Sequence, residues 1–352
     1  MVTTNKQKAG DDSINLQAGG DIVVNNTKSV ALYSIEEVAK QLMGSVFGEL
    51  PDDTKGQIEV NQKSYFQALS DNLGKIIKQN DDLKKVISSP DFQYISKTAT
   101  ISASRSSSVE LHKNLSSLIT QRINNDDEDL KKIVYDEAIS TIGKLTVDQL
   151  KIVTLCYILS YTSYGGIVSW GSYEAYLNTQ IKPFLSFKNT NAEFQHIQYA
   201  GCGSIDMGNR DLINAHRQQY SFLFLNLIEK EQIDNLALSD KIKTEIIALD
   251  GKEDKYFIRF KNKNELEKYL KENKVDDEIL NKLVGIYEGH IKNNGEIKKK
   301  IIEETSIGRE LLDLWEKSAL THLSLTSVGI AIGASYFEQI TGQKIDINIW
   351  IN

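Results

Sequence analysis

Apolar residues recur at three- and four-residue steps through most of the chain, the spacing that lines one face of an α-helix. After Pro51, Tyr65, Phe66, Leu69, Leu73, Ile76 and Ile77 form one such stripe, and Leu111, Leu115, Leu118, Ile119 and Ile123 form another. The acidic stretch Asn125–Asp129 suits a helix N-terminus, because the helix dipole favours negative charge there. It leads into Leu130, Ile133, Val134, Ala138 and Ile142, and Gly143 closes the pattern. Ser34–Glu37 and Thr146–Gln149 read as capping boxes, in which side chains satisfy the orphan amides of a first turn. The first opens a helix through about Leu50. The second opens a helix over Val147–Leu159 that is apolar on most sides and therefore belongs in a core. Short helices are expected over Asp82–Ile87 and Glu193–Tyr199, and a longer one over Asp211–Glu229. Ser96–Ser108, rich in serine and threonine, reads as a loop or weak helix, and Ala200–Gly208 as a glycine-rich loop. A strongly apolar helix runs from Thr326 to Ile340, with Gly342 as its cap.

Period two replaces period three and a half at both ends. Ile14, Leu16 and Ala18 alternate with polar residues, Gly19-Gly20-Asp21 offers a turn, and Ile22 and Val24 resume the alternation, which predicts a β-hairpin. Ile345, Ile347, Ile349 and Ile351 alternate likewise and predict a terminal strand. From Lys241 the texture becomes rich in Lys and Glu. Here a strand pair, Glu245–Leu249 and Tyr256–Phe260, is expected across Asp250-Gly251-Lys252, with helices near 263–271, 276–288 and 295–304. The expected fold is therefore mainly α, a large multi-helix domain with a short N-terminal β-hairpin and a C-terminal β-strand. Its expected organisation is a mobile tail and hairpin over 1–30, a helical core domain over 31–240, a charged α/β insert or subdomain over 241–305, and C-terminal core helices and strand over 306–352.

Composition adds exclusions. The 352 residues are 40% hydrophobic and 25% charged, the mixture of a globular protein, and just three are proline. A net charge of −7 argues against a surface that is basic throughout, so nucleic acid is not the expected partner, although a local basic groove remains compatible with it. Two cysteines make no disulfide framework. No secretory leader and no apolar run near twenty residues appear, so the expectation is a cytoplasmic protein without a stable membrane span. Neither a phosphate loop nor a dinucleotide fingerprint is present, and no spacing matches a metal site, so no cofactor and no metal are expected.

Three stretches carry candidate chemistry. Gly166-Ile-Val-Ser169-Trp-Gly171 resembles a nucleophile elbow but has one residue too many before the serine. His196, Cys202 and His216 lie close in sequence, with glycines flanking Cys202, and could supply a thiolate and its base. Ordinary packing is the plainer reading. The aromatic band around Tyr164, Trp170 and Tyr173 could line a ligand pocket, since tyrosine and tryptophan offer flat faces with a polar edge, and could equally be core. Asn125–Asp129 lacks the glycine and distal glutamate of a calcium loop. Lys298-Lys299-Lys300, followed by Glu303-Glu304, reads as a self-compensated, solvated helix face.

Leu16-Gln17-Ala18-Gly19-Gly20-Asp21-Ile22, together with Leu325–Gly333 and the final Ile347-Asn348-Ile349-Trp350-Ile351, resembles an uncharacterised family of bacterial helical proteins. Its members begin with a "QAGGD" strand element and end in a "TSVGIAI…IWI" segment. The resemblance implies a bacterial origin and a context in antiphage defence, and carries no catalytic residues. The expected function is an oligomerising interaction protein, a sensor or scaffold, with a homo-oligomer and a protein partner as its expected associations. Its expected interface is Ile14, Leu16, Gly19, Gly20, Ile22 and Val24 with Ile345, Ile347, Ile349 and Ile351. The alternatives are an enzyme around Trp170, Cys202 and His216, and a membrane-acting effector that exposes the Thr326–Ile340 helix. Both end segments present one apolar face and unpaired backbone groups, so each needs a partner strand. Deleting Met1–Asn26 should give a smaller soluble assembly on light scattering if the pairing is between subunits, and an unstable product if it is within the chain. A truncation with unchanged mass, stability and activity would sink both.

Overall fold

The computed structural model describes residues 35–37, 39–73, 80–125, 129–250, 253–344 and 346–350. The fold is mainly α-helical, with two small antiparallel strand pairs among the described residues. The chain divides into two compact units, Met1–Lys144 with Asn348–Asn352, and Leu145–Ile347. The expected N-terminal hairpin, with Ile14, Leu16, Gly19, Gly20, Ile22 and Val24, lies outside the described residues, as does Ser34 of the first capping box.

In the first unit, Ile58, Gln62, Tyr65, Leu69 and Leu73 step down the buried side of the helix Asp52–Leu73. Ser96–Ser104 takes the helical one of its two expected forms. The serine- and threonine-rich stretch is the second half of a regular helix, Pro90–Ser104, with proline in its first turn and Ser89 Oγ accepting the Phe92 amide at 3.2 Å. Two of its buried hydroxyls are satisfied within the helix, Thr100 donating to the Ser96 carbonyl at 2.8 Å and Ser104 to that of Thr100 at 2.7 Å, while Ser96 Oγ is buried without a partner. Bonding back to the preceding turn lets hydroxyls be buried without breaking the helix. Ser104 in turn accepts from Asn61 and Gln62, and His112 of the helix Val109–Asn124 meets Ser64 Oγ at 2.8 Å. The interior of this unit is thus a polar seam as well as an apolar one. Arg122 is fully buried, 2.5 Å from Asp91 and 3.0 Å from Asp136, with its guanidinium 5.7 Å from the Phe92 ring centroid. Lys132 and Arg122 hold the Asp91 carboxyl below its ordinary range, whereas burial lifts that of Asp136 above it.

The second unit is organised by the helix Val147–Tyr161. Its expected capping box is present: Thr146 Oγ1 accepts the Gln149 amide at 3.2 Å, and Gln149 Oε1 accepts the Thr146 amide at 3.0 Å. Every residue from Ile152 to Leu159 is buried, as a helix apolar all round requires. The helix Ser327–Thr341 lies along it, buried continuously from Gly329 to Phe337 and closed by Gly342 at φ +72°. Two glycines permit the close approach. A Cβ on Gly333 would come within 3.1 Å of Tyr157 Cβ, and one on Gly329 would come within 1.9 Å of the Cys202 carbonyl oxygen.

That contact fixes a strand pair that Ala200–Gly208, expected as a loop, does not announce: Gly203–Ile205 runs antiparallel to Leu323–Leu325 in register Gly203↔Leu325. The expected helix over Asp211–Glu229 is also shorter. It spans Leu212–Gln219 and leaves helical geometry at Tyr220. There the chain turns Phe224 inward and then extends to bridge Leu225 to Ile291 and Ile228 to Tyr256. The strand pair expected in the Lys/Glu-rich region is present, with Ile247–Leu249 antiparallel to Tyr256–Ile258. It packs with the helices Lys263–Glu272 and Asp277–Gly289 around Ile228, Ile258, Leu266, Leu270, Leu283 and Tyr287. The terminal isoleucine stretch is not a strand where it is described. Ile347–Trp350 forms a 3-10 turn with Ile347 buried and Ile349 inside the turn, while Ile345 and Ile351 lie outside the described residues. Alternation alone fixed no partner strand there, and burial of Ile347 is met by the turn instead.

Gly329→Ala should destabilise the protein by about 1–3 kcal/mol in urea denaturation, the usual cost of overpacking against atoms that cannot move aside. Gly333→Ala should cost less, because its neighbours are at ordinary or slightly tight distances and alanine gains about 1 kcal/mol in helix propensity. Equal losses would show that the Cys202 carbonyl is not the constraint.

Candidate functional site

The aromatic band begins at Ser169, whose hydroxyl accepts the Ser172 amide at 3.2 Å while Ser172 Oγ accepts the Ser169 amide at 2.9 Å. Ser169 is thereby the cap of the helix Trp170–Tyr176, a structural role in place of a nucleophile's. Behind it the rings pack edge to face. Trp170 lies 5.7 Å from Tyr173 at 89° and 5.6 Å from Phe224 at 74°, and Tyr164 stacks on Tyr176 at 5.3 Å and 12°. Tyr164 offers its amide to the Tyr220 hydroxyl at 3.0 Å. Tyr173 shares a 3.0 Å hydrogen bond with His216 Nδ1. Both groups are buried, which lowers the His216 pKa to about 4 and pushes the Tyr173 phenol well above its ordinary value. At neutral pH the pair is uncharged, and it backs the Trp170 ring.

In front of Trp170 opens a cleft of about 950 Å³. Its apolar floor comes from Phe222, Leu223 and Leu225, where the chain leaves the helix Leu212–Gln219, and from Ala248 and Ile258 of the small strand pair. Its rim is basic. Lys300 projects from the helix Asn294–Glu304, with Nζ 5.8 Å from the Trp170 ring centroid and 2.5 Å from Glu304. Lys292 is held by its own amide, which donates to the Phe224 carbonyl at 2.9 Å, while its ammonium meets the Asn226 side-chain oxygen. Lys255 precedes the strand Tyr256–Ile258 and pairs with Glu229 at 2.8 Å, which holds its pKa above the ordinary value. Arg259 follows that strand, its amide bonded to the Ile246 carbonyl at 2.9 Å and its side chain exposed. Phe257 stands outward between them, 40% exposed.

The structure gathers Tyr164, Trp170, Tyr173 and His216 into one aromatic group, and of these Trp170 lines the cleft. Cys202 is elsewhere. It is fully buried beneath the first turn of Ser327–Thr341, where its carbonyl accepts the Thr326 amide at 3.1 Å. His196 sits on the helix Asn191–Tyr199 with Nδ1 3.1 Å from Gln149 Oε1, part of the capping arrangement of the neighbouring helix. Lys298, Lys299 and Lys300 are compensated by Glu316, Glu303 and Glu304, as their spacing suggests, yet Lys300 also faces the aromatic ring. Lys255, Phe257, Arg259 and Lys292 carry one readable signal, an outward aromatic between two cations in a predicted strand. Their meeting with Trp170 depends on how the chain returns at Leu225 and Ile291. Among the described residues no group of three or more His, Cys, Asp or Glu is arranged to hold a metal ion, and no helix is long and apolar enough to cross a membrane.

A protein-family model matches residues 31–351, nearly the whole chain; the family is described only by a "-like" label that names no activity, substrate or partner. No curated protein and no solved structure matches the chain.

The buried His216 gives a pH test of this geometry. Its folded pKa near 4 lies below the ordinary 6.5, so the unfolded chain binds the extra proton between those values. Its contribution is fully present above pH 6.5 and is lost as pH falls toward 4, by about 3 kcal/mol in all. His216→Phe should lower stability at pH 7, because the Tyr173 hydroxyl loses its partner, and should flatten the fall between pH 6.5 and 4.5 in denaturant titrations. An unchanged slope would place His216 in water.

Proposed function

The chain belongs to that family, and its cleft sets cations beside aromatic rings; we propose that it is an oligomerising interaction protein, a sensor or scaffold that works by binding. The observation that carries this reading is the composition of the cleft lining among the described residues: four cations and exposed or half-buried rings against one carboxylate, Glu253, which lies 4.0 Å from Lys255, and one hydroxyl, Ser169, committed to a helix cap. His216, the histidine nearest to the cleft's Trp170 in the aromatic group, is buried behind the rings. The resemblance of the two end motifs supplies antiphage defence as the biological context of the proposal, and the period-two N-terminal segment from Ile14 to Val24 is its proposed assembly surface. For the membrane-acting alternative, Gly329–Phe337 of the helix Ser327–Thr341 are already buried, much of that face against Val147–Tyr161.

Two measurements test the reading together. Light scattering on the purified chain should give a defined homo-oligomer. In cells challenged with phage, protection should survive Cys202→Ala and fail in Arg259→Glu/Lys292→Glu. Protection lost in Cys202→Ala with the fold intact would favour a thiol enzyme, and a strict monomer would remove the scaffold.

A further inference from the structure

In a chain whose net charge is −7, four cations converge on one cleft against a single lining carboxylate. They are not equivalent. Lys255 is compensated by Glu229 and Lys300 by Glu304. Lys292 meets a neutral amide oxygen, and neither it nor Arg259 enters an ion pair among the described residues. Two cations held by backbone bonds at the rim of a partly apolar cleft, outside any ion pair among the described residues, have the charge and placement to receive an anion. A guanidinium in particular offers a planar fork of donors that fits carboxylate or phosphate.

The same cleft presents aromatic surface. Phe257 stands outward between Lys255 and Arg259, and Trp170, packed against Tyr173 and Phe224, also lines it. Rings fixed beside cations are the arrangement that binds flat unsaturated rings carrying phosphate, by stacking on one part and pairing with the other. The volume of about 950 Å³ lies at the upper end of the range for small-molecule pockets and leaves room for both parts.

We propose that this cleft binds a nucleotide-class ligand, its phosphate on Arg259 and Lys292 and its base against Phe257 and Trp170. The assignment rests on the reading of the cleft as a binding site. Lys255 and Lys300 serve as the flanking charges, whose carboxylate partners Glu229 and Glu304 keep the empty cleft from excess repulsion.

The test is calorimetric titration of the full chain at low salt with ADP, adenosine and inorganic phosphate, and with a short single-stranded oligonucleotide as a separate arm. ADP should bind about tenfold or more tightly than either of its halves, because the two contacts add. Arg259→Ala/Lys292→Ala should weaken ADP at least about tenfold without moving the thermal midpoint, since neither side chain is buried. Phe257→Ala should weaken ADP and leave phosphate unchanged. Phosphate binding as tightly as ADP would reduce the cleft to a simple anion patch and overturn the proposal. So would ADP affinity that survives the double substitution, or an oligonucleotide that binds where ADP does not. Failure of ADP to bind leaves oligomerisation by light scattering untouched and so spares the interaction-protein reading. Turnover of bound ADP would overturn that reading while supporting the site.

Discussion

At Gly329 the helix Ser327–Thr341 comes so near to Cys202 that a side chain has no room, and at Gly333 it packs tightly on Tyr157 and Val153 of Val147–Tyr161. Much of the second unit follows from that approach. It sets Leu323–Leu325 beside Gly203–Ile205, and the pair is locked by Arg210, whose guanidinium meets the Leu323 carbonyl and Ser324 Oγ at 2.5 Å each. Trp315 in turn donates to the Arg210 carbonyl at 2.9 Å. Cys156, donating its thiol to the Leu323 carbonyl at 3.1 Å, is a buried structural donor whose pKa burial pushes to about 12. Immediately after Arg210 begins the helix that carries His216 into the aromatic band. The position of Trp170 is therefore tied, through His216 and Tyr173, to a helix contact made elsewhere in the unit.

The band behind Trp170 is rigid because its polar atoms are satisfied by one another. Tyr173 with His216, and Tyr220 with the Tyr164 amide, leave little for water to do. A ring wall of this kind loses little conformational freedom when a ligand stacks on it, and that preorganisation favours binding. Of the cations that line the same cleft, Lys292 and Arg259 are anchored through their backbone amides, while Lys255 and Lys300 are paired with carboxylates.

The first unit obeys a different rule. Its helices meet through hydroxyl, amide and imidazole groups as well as through leucine and isoleucine, and a buried arginine lies between two aspartates. Each such group restricts the packings available, because a shifted helix would leave a polar atom buried without a partner. Specificity of helix pairing is the physical gain, set against the desolvation of Arg122.

Local chemistry determined the elements whose signals are local. The Thr146–Gln149 box, the 3.6-residue stripes of Asp52–Leu73 and Val109–Asn124, the Gly342 cap and the strand pair around residue 250 were all legible, because caps, periodicity and turns act within a few residues. The mainly α class follows from them. Ser96–Ser104 was open between two forms because hydroxyl-rich composition has two solutions, solvated loop or back-bonded helix, and the partners Asn61 and Gln62 that favour the second are far away in sequence. The isoleucines of Ile347–Trp350 misled for the same reason, since alternation asks for a partner strand and only the tertiary structure supplies or withholds one. Of the candidate site, Trp170 was readable as an aromatic, while Lys255, Arg259 and Lys292 looked like ordinary members of a charged segment. What they can bind was decided by the chain's return at Ile228 and Ile291, because a cleft is a relation between distant residues and charge acts through space rather than along the chain.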